Sequence, residues 1–97
     1  MEPELNASDR ARARALVIDE GMTTAIAAHV RGAPRMELRQ AIATFVANAK
    51  LTLTPPQDVI ASLKAQIQRD AQPYMSAEEF RRLVELVVGW GIEEYYR

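Results

Sequence analysis

Ser76-Ala77-Glu78-Glu79-Phe80-Arg81-Arg82-Leu83-Val84-Glu85-Leu86-Val87-Val88-Gly89-Trp90-Gly91 carries the clearest structural signal in the chain. A serine followed three residues later by a glutamate is the pattern of a capping box, in which each side chain satisfies the other residue's orphan amide. Glu78 and Glu79 also stand where the positive end of a helix dipole favours acids. Behind them Phe80, Leu83, Val84, Val87, Val88 and Gly91 recur at three- and four-residue steps, the period of a helix. Leu86 and Trp90 widen that face. So broad an apolar arc predicts a central helix that touches several neighbours or meets another chain. Glu78 with Arg82, and Arg81 with Glu85, are spaced to form ion pairs on the outer surface.

The same reasoning extends toward the N-terminus. Thr54-Pro55-Pro56-Gln57 offers a threonine cap, a proline at the first helical position and a glutamine three residues on. Val59, Ile60, Leu63 and Ile67 then form a buried stripe. An earlier segment opens at Pro34, again with proline at the favoured first position, and runs to Lys50. Its stripe is Leu38, Ile42, Phe45 and Ala49, widened by Ala41 and Val46. The first segment spans Asp9 to Arg31, capped by Asn6 or Ser8, with Ala11, Ala15, Ile18, Met22, Ala25 or Ile26, and His29 along one face. Gly21 falls inside it, costs about 1 kcal/mol against alanine, and marks where that helix would kink or break.

Three short breaker stretches, at 32–34, 51–56 and 72–76, have the length that joins neighbouring helices. The only strand-like alternation, Lys50-Leu51-Thr52-Leu53-Thr54, is isolated, and one unpaired strand is not stable. It is expected to be an extended connector with Leu51 and Leu53 tucked onto the bundle. The predicted fold is all-α: a four-helix, mostly antiparallel bundle with short loops, or five helices if Gly21 breaks the first. One domain, residues 9–97, follows an N-terminal tail, residues 1–8. Ile42, Phe45, Leu63, Ile67, Leu83 and Val87 are its expected shared core.

Composition limits the function classes. At 97 residues and 10.9 kDa, a compact chain keeps roughly 5,600 Å² accessible and buries enough for one core without staples. Twelve basic residues against thirteen acidic ones leave a net charge of −1, which argues against nucleic acid or an anionic membrane as a partner. There is no cysteine and one histidine, so disulfides, thiol catalysis and multi-histidine metal sites are excluded. No apolar run has the length of a membrane span, and no apolar signal follows the acidic start. Ten arginines and sixteen alanines are the bias of a GC-rich genome. A cytoplasmic bacterial protein is expected.

Little in the chain can support catalysis. The four glycines, Gly21, Gly32, Gly89 and Gly91, form no phosphate-binding loop. No nucleophile has a base at a recognisable spacing, no glutamate begins a Glu-x-x-His metal motif, and no cofactor is implied. The expected catalytic and metal-ligating sets are empty, and the chain is read as non-enzymatic. His29 is the one side chain that titrates unaided near neutral pH, and it invites comparison with phosphorelay bundles. Those carry a lysine at three and a glycine at four residues after the histidine, whereas Arg31 and Gly32 come at two and three. A histidine favourably placed at a helix C-terminus is the simpler reading. Residues 10–50 hold seven Lys or Arg against three acids. Arg10 and Arg14 share one helical face and Arg35 and Arg39 another, a sparse basic patch.

Three of the six aromatic residues, Trp90, Tyr95 and Tyr96, crowd the last eight positions. Tryptophan and tyrosine are enriched at interface hot spots, and Gly89 and Gly91 would let a second backbone approach Trp90. The expected interaction surface is therefore Leu86, Gly89, Trp90, Tyr95 and Tyr96, with the alternative that Trp90 closes the core of a single copy while Tyr95 and Tyr96 fray at the helix end. Through it the chain is expected to form a two-fold homodimer burying at least ~1,000 Å², with Glu85 and Arg82 pairing across it. The functional expectation is a helical protein–protein interaction or regulatory module with a protein partner. Two alternatives stand beside it: a two-component signalling bundle using His29, and a nucleic-acid-associated protein using arginines of the first two helices.

Overall fold

The computed structural model describes residues 19–97. Four helices follow one another: α1 (Glu20–Val30), α2 (Arg35–Leu51), α3 (Pro56–Asp70) and α4 (Ala77–Tyr95), with a 3-10 turn, Gln72–Tyr74, between α3 and α4. No strand occurs among the described residues, and the fold is an all-α bundle with short loops. The last helix packs extensively on both α2 and α3, while α1 packs mainly on α2 and less on α3. The breadth of the apolar arc on α4 follows from these two neighbours.

The core takes one stripe from each helix: Met22 and Ile26; Leu38, Ile42 and Val46; Val59, Leu63 and Ile67; Leu83, Val87 and Trp90. Steps of three and four residues keep each stripe on one face. Five of the six expected core residues are buried. Phe45, one residue off the Ile42–Val46 line, is half-buried against that core.

The start of α4 is built as its sequence implies. The Glu79 amide donates to Ser76 Oγ at 3.1 Å, and the Ser76 amide donates to Glu79 Oε1 at 3.0 Å. The backbone and hydroxyl bonds to Ser76 hold the Glu79 carboxyl below its ordinary range. Arg82 pairs with Glu78 at 2.8 Å and Arg81 with Glu85 at 3.0 Å.

Three other boundaries differ from the sequence reading. Helix α3 begins at Pro56, with Pro55 as an N-cap that has no side-chain hydrogen bond. A residue before proline is pushed out of the helical region, and Pro55 accordingly has ψ 152°. Thr54 therefore lies too far back to cap. Its hydroxyl meets that of Thr52 at 3.0 Å, and its carbonyl accepts from the Tyr95 hydroxyl at 2.8 Å. Pro34 is likewise an N-cap, not the first helical residue. Helix α1 is capped by Asp19, extended at φ −103°, whose carboxylate accepts from the Met22 amide at 2.8 Å. The helix expected from Asp9 to Arg31 therefore has a start at Asp19–Glu20, and Gly21 lies inside its first turn without breaking it. The rest of that segment, with Asn6, Ser8, Arg10 and Arg14, lies outside the described residues.

Leu51 and Leu53 are not tucked onto the bundle. They are 83% and 88% exposed. Helix α2 ends in a Schellman turn: the Leu53 amide donates to the Lys50 carbonyl at 3.0 Å, and the Thr54 amide to the Ala49 carbonyl at 2.9 Å. This turn puts Leu53 at φ 58°, which directs its side chain outward and costs roughly 1–2 kcal/mol for a residue with a Cβ. Helix α1 closes with the same turn, but there Gly32 takes the positive φ, at 100°.

Candidate interaction surfaces

The residues expected to form one surface on the last helix divide between the interior and the exterior. Trp90 is 8% exposed and belongs to the core. The Arg39 guanidinium lies 5.7 Å from its ring centroid and reaches across the α2–α4 seam to Glu93 at 2.9 Å. A Cβ on Gly91 would lie 2.7 Å from Leu63 Cδ1 and 3.2 Å from Ile60 Cδ1. The bare backbone at Gly91 therefore lets α4 approach α3 within one copy of the chain. Leu86 is half-buried, as is Tyr95, whose ring lies 5.9 Å from the Lys50 ammonium.

Gly89 differs from Gly91. A Cβ there would meet nothing within 4 Å, so its bare backbone is open to the outside. Counting along α4, Glu85, Gly89, Ile92 and Tyr96 fall on one outer face at four- and three-residue steps. Ile92 is 47% exposed and Tyr96 69%. Half-buried Val88 borders this stripe. Beside it on α3 lie Pro56, Ile60, Ala61 and Lys64, and together they line a groove of about 530 Å³. Ile92 was not singled out by sequence, although its place three residues after Gly89 and four before Tyr96 contains the signal. Glu85 and Arg82, expected to pair across two copies, each have a partner within their own helix.

His29 is in the last turn of α1, where a basic group suits the dipole. Its Nδ1 is buried and has no hydrogen-bond partner among the described residues. The ring borders a pocket of about 300 Å³ with Arg35, Met75, Glu79, Arg82 and Leu86. Arg35 and Arg39 do not form a bare basic face, because Arg39 is committed to Glu93 and Trp90. Arg10 and Arg14, the other half of that candidate patch, lie outside the described residues. Among the described residues no three potential ligands cluster as a metal site would require, and no helix is long and apolar enough to cross a membrane.

A polar clasp, invisible to periodicity, sets the angle of α1. Gln66 is 2% exposed on α3. Its Nε2 donates to the Asp19 carbonyl at 2.6 Å and to Thr23 Oγ1 at 2.9 Å, while its Oε1 accepts from the Asp19 amide at 3.2 Å. The Thr23 hydroxyl donates onward to Asp70 at 3.0 Å. Below this clasp a second groove, of about 340 Å³, runs between α2 and α3 from Asp19 to Leu53. No protein-family model matches the chain, and neither a curated protein nor a solved structure matches it.

Proposed function

We propose that this chain is a non-enzymatic helical interaction module of the cytoplasm that self-associates as a two-fold homodimer through its last helix. The observation that supports this reading is the exposed stripe of Gly89, Ile92 and Tyr96 beside Ile60 and Ala61. Apolar surface of this kind gains free energy when removed from water. Tyrosine adds a large, stiff contact area with a polar tip. A missing side chain at Gly89 lets a second helix come to the short end of the 8–10 Å interaxial range.

A two-fold contact is self-complementary. Two antiparallel copies of α4 crossing near Ile92 would set Val88 of each against Tyr96 of the other. Trp90 and Gly91 take no part in this contact, since they complete the interior of each copy. The module acts through its surface and requires no cofactor.

Sedimentation equilibrium at micromolar concentration tests the reading. The wild-type chain is expected to sediment at about twice its 10.9 kDa mass, and Ile92→Asp at the monomer mass with its helical circular dichroism unchanged. A wild-type monomer across the concentration range, or a dimer that survives Ile92→Asp, would refute it.

A further inference from the structure

The groove below the Gln66 clasp lies on a different side of α3 from the proposed self-association face. Val59 and Ser62 face this groove, whereas Ile60, Ala61 and Lys64 face α4. Its existence follows from helix lengths. Helix α1 has 11 residues and α2 has 17, or about 16 Å against about 25 Å at 1.5 Å per residue. The two run antiparallel from a shared turn, so among the described residues α1 does not reach the last ~9 Å of α2, about six helical residues. Ala49 within this length, Phe45 just before it on α2, and Val59 on α3 form the apolar wall of the groove. Leu53 forms its lip, held there 88% exposed in a left-handed conformation where glycine would relieve the strain. A strained residue that keeps an apolar side chain at the mouth of a groove points to an occupant.

We propose that the occupant is this chain's own amino-terminal segment. Three observations support that choice. The segment is attached at the groove itself, because Asp19, the first described residue, lines it. The residues directly before Asp19 are Leu16, Val17 and Ile18, an apolar run that covers ~9 Å when extended. The charges are complementary: among the described residues the groove lining contains Asp19 and Asp58 and no lysine or arginine, while the segment carries Arg10, Arg12 and Arg14. With the chain tethered at Asp19 on the upper end, a segment laid along the groove would bring its arginines toward the lower end, where the Asp58 carboxylate has no partner among the described residues. Residues 10–18 thus act as an intramolecular ligand that covers the α2–α3 groove and withholds it from other chains.

Paramagnetic relaxation on the full chain tests this. A nitroxide is attached at Ser8→Cys, outside the apolar run and unique because the chain has no other cysteine. In one sample the spin-labelled, nitrogen-15 chain is diluted into unlabelled chain, so that only effects within a chain are seen. The amide signals of Asn48, Thr52 and Asp58 are expected to be quenched while those of Glu78 and Arg82 are retained. Adding Val17→Asp should restore the quenched signals with the helices intact. In the second sample the nitroxide and the isotope are on different chains, and no quenching of the groove is expected. Groove signals unaffected in the first sample, quenched in the second, or still quenched with Val17→Asp would each overturn the proposal.

Discussion

Replacing Gly89 and Gly91 with alanine, one at a time, makes the same chemical change two residues apart on one helix, with opposite expected results. In a helix interior alanine is favoured over glycine by about 0.8–1.0 kcal/mol, and both positions stand to gain that amount. At Gly89 the new methyl meets nothing within 4 Å, so the gain is retained. The variant should be more stable by about 1 kcal/mol, with a midpoint about 4–8 °C higher for a domain of this size. At Gly91 the methyl would lie 2.7 Å from Leu63 Cδ1 and 3.2 Å from Ile60 Cδ1. Leu63 is 1% exposed and surrounded by core, so its side chain has little free space into which to turn. Overpacking of this kind costs about 1–3 kcal/mol. Set against the propensity gain, Gly91→Ala should lie between neutral and about 2 kcal/mol less stable.

The propensity contribution cancels between the two variants, so their difference isolates the helix–helix contact at about 1–3 kcal/mol. Urea unfolding followed by circular dichroism measures it, at protein concentrations where the midpoint no longer moves on dilution. That condition separates monomer stability from association. A cycle with Leu63→Ala sharpens the test. Removing the clashing methyl groups should make Gly91→Ala close to harmless in that background, the non-additivity expected of touching residues. If Gly91→Ala stabilises the wild-type chain as much as Gly89→Ala does, the close α3–α4 approach is wrong.

Three further outcomes follow from the same contacts. Gln66→Leu leaves the Asp19 amide without its partner and the Asp19 carbonyl with the Thr23 amide alone, and should cost about 1–3 kcal/mol with faster hydrogen exchange at Met22 and Thr23. Unchanged exchange there would show that α1 does not depend on the clasp. Arg39→Ala removes a cation over Trp90 and a partly exposed ion pair, together worth about 1 kcal/mol. Trp90 fluorescence should shift to the red, and an unshifted spectrum would show that Arg39 does not shield the ring. Because the Ser76 bonds hold the Glu79 carboxyl below its ordinary range, its contribution is present at neutral pH. That contribution is lost as pH falls through the lowered value, below the ordinary glutamate value of about 4.3. Glu79→Gln should flatten this acid limb of the stability profile, and an identical limb in both proteins would refute the assignment.

The fold class was legible because the signals for α4 agreed at every level: cap, dipole, period and ion pairs all favoured the same helix. The starts of α1 and α3 were less legible, each for a local reason. Two successive prolines displaced the cap from Thr54 to Pro55, and Asp19 stands inside a stretch whose three- and four-residue period runs straight through it, so periodicity alone does not mark a helix start there. The exposure of Leu51 and Leu53 could not be read from hydrophobicity, since nothing in their residue types announces a left-handed turn. Gly89 and Gly91 are also identical in sequence terms. Only the path of α3 beside them shows that one faces Leu63 and the other faces open space. Gln66, polar and unremarked in the pattern, owes its burial to a partner 47 residues away.

The location of the self-association face can be read from contacts between copies. In a sample mixing isotope-labelled and unlabelled chains, filtered nuclear Overhauser spectra report only proton pairs on different molecules. The proposed dimer predicts cross-peaks from the Ile92 methyl groups, and from the Val88 methyl groups, to the Tyr96 ring of the second copy, with none to the Trp90 indole. Intermolecular peaks at Trp90, or at residues off the stripe of Val88, Ile92 and Tyr96, would contradict it.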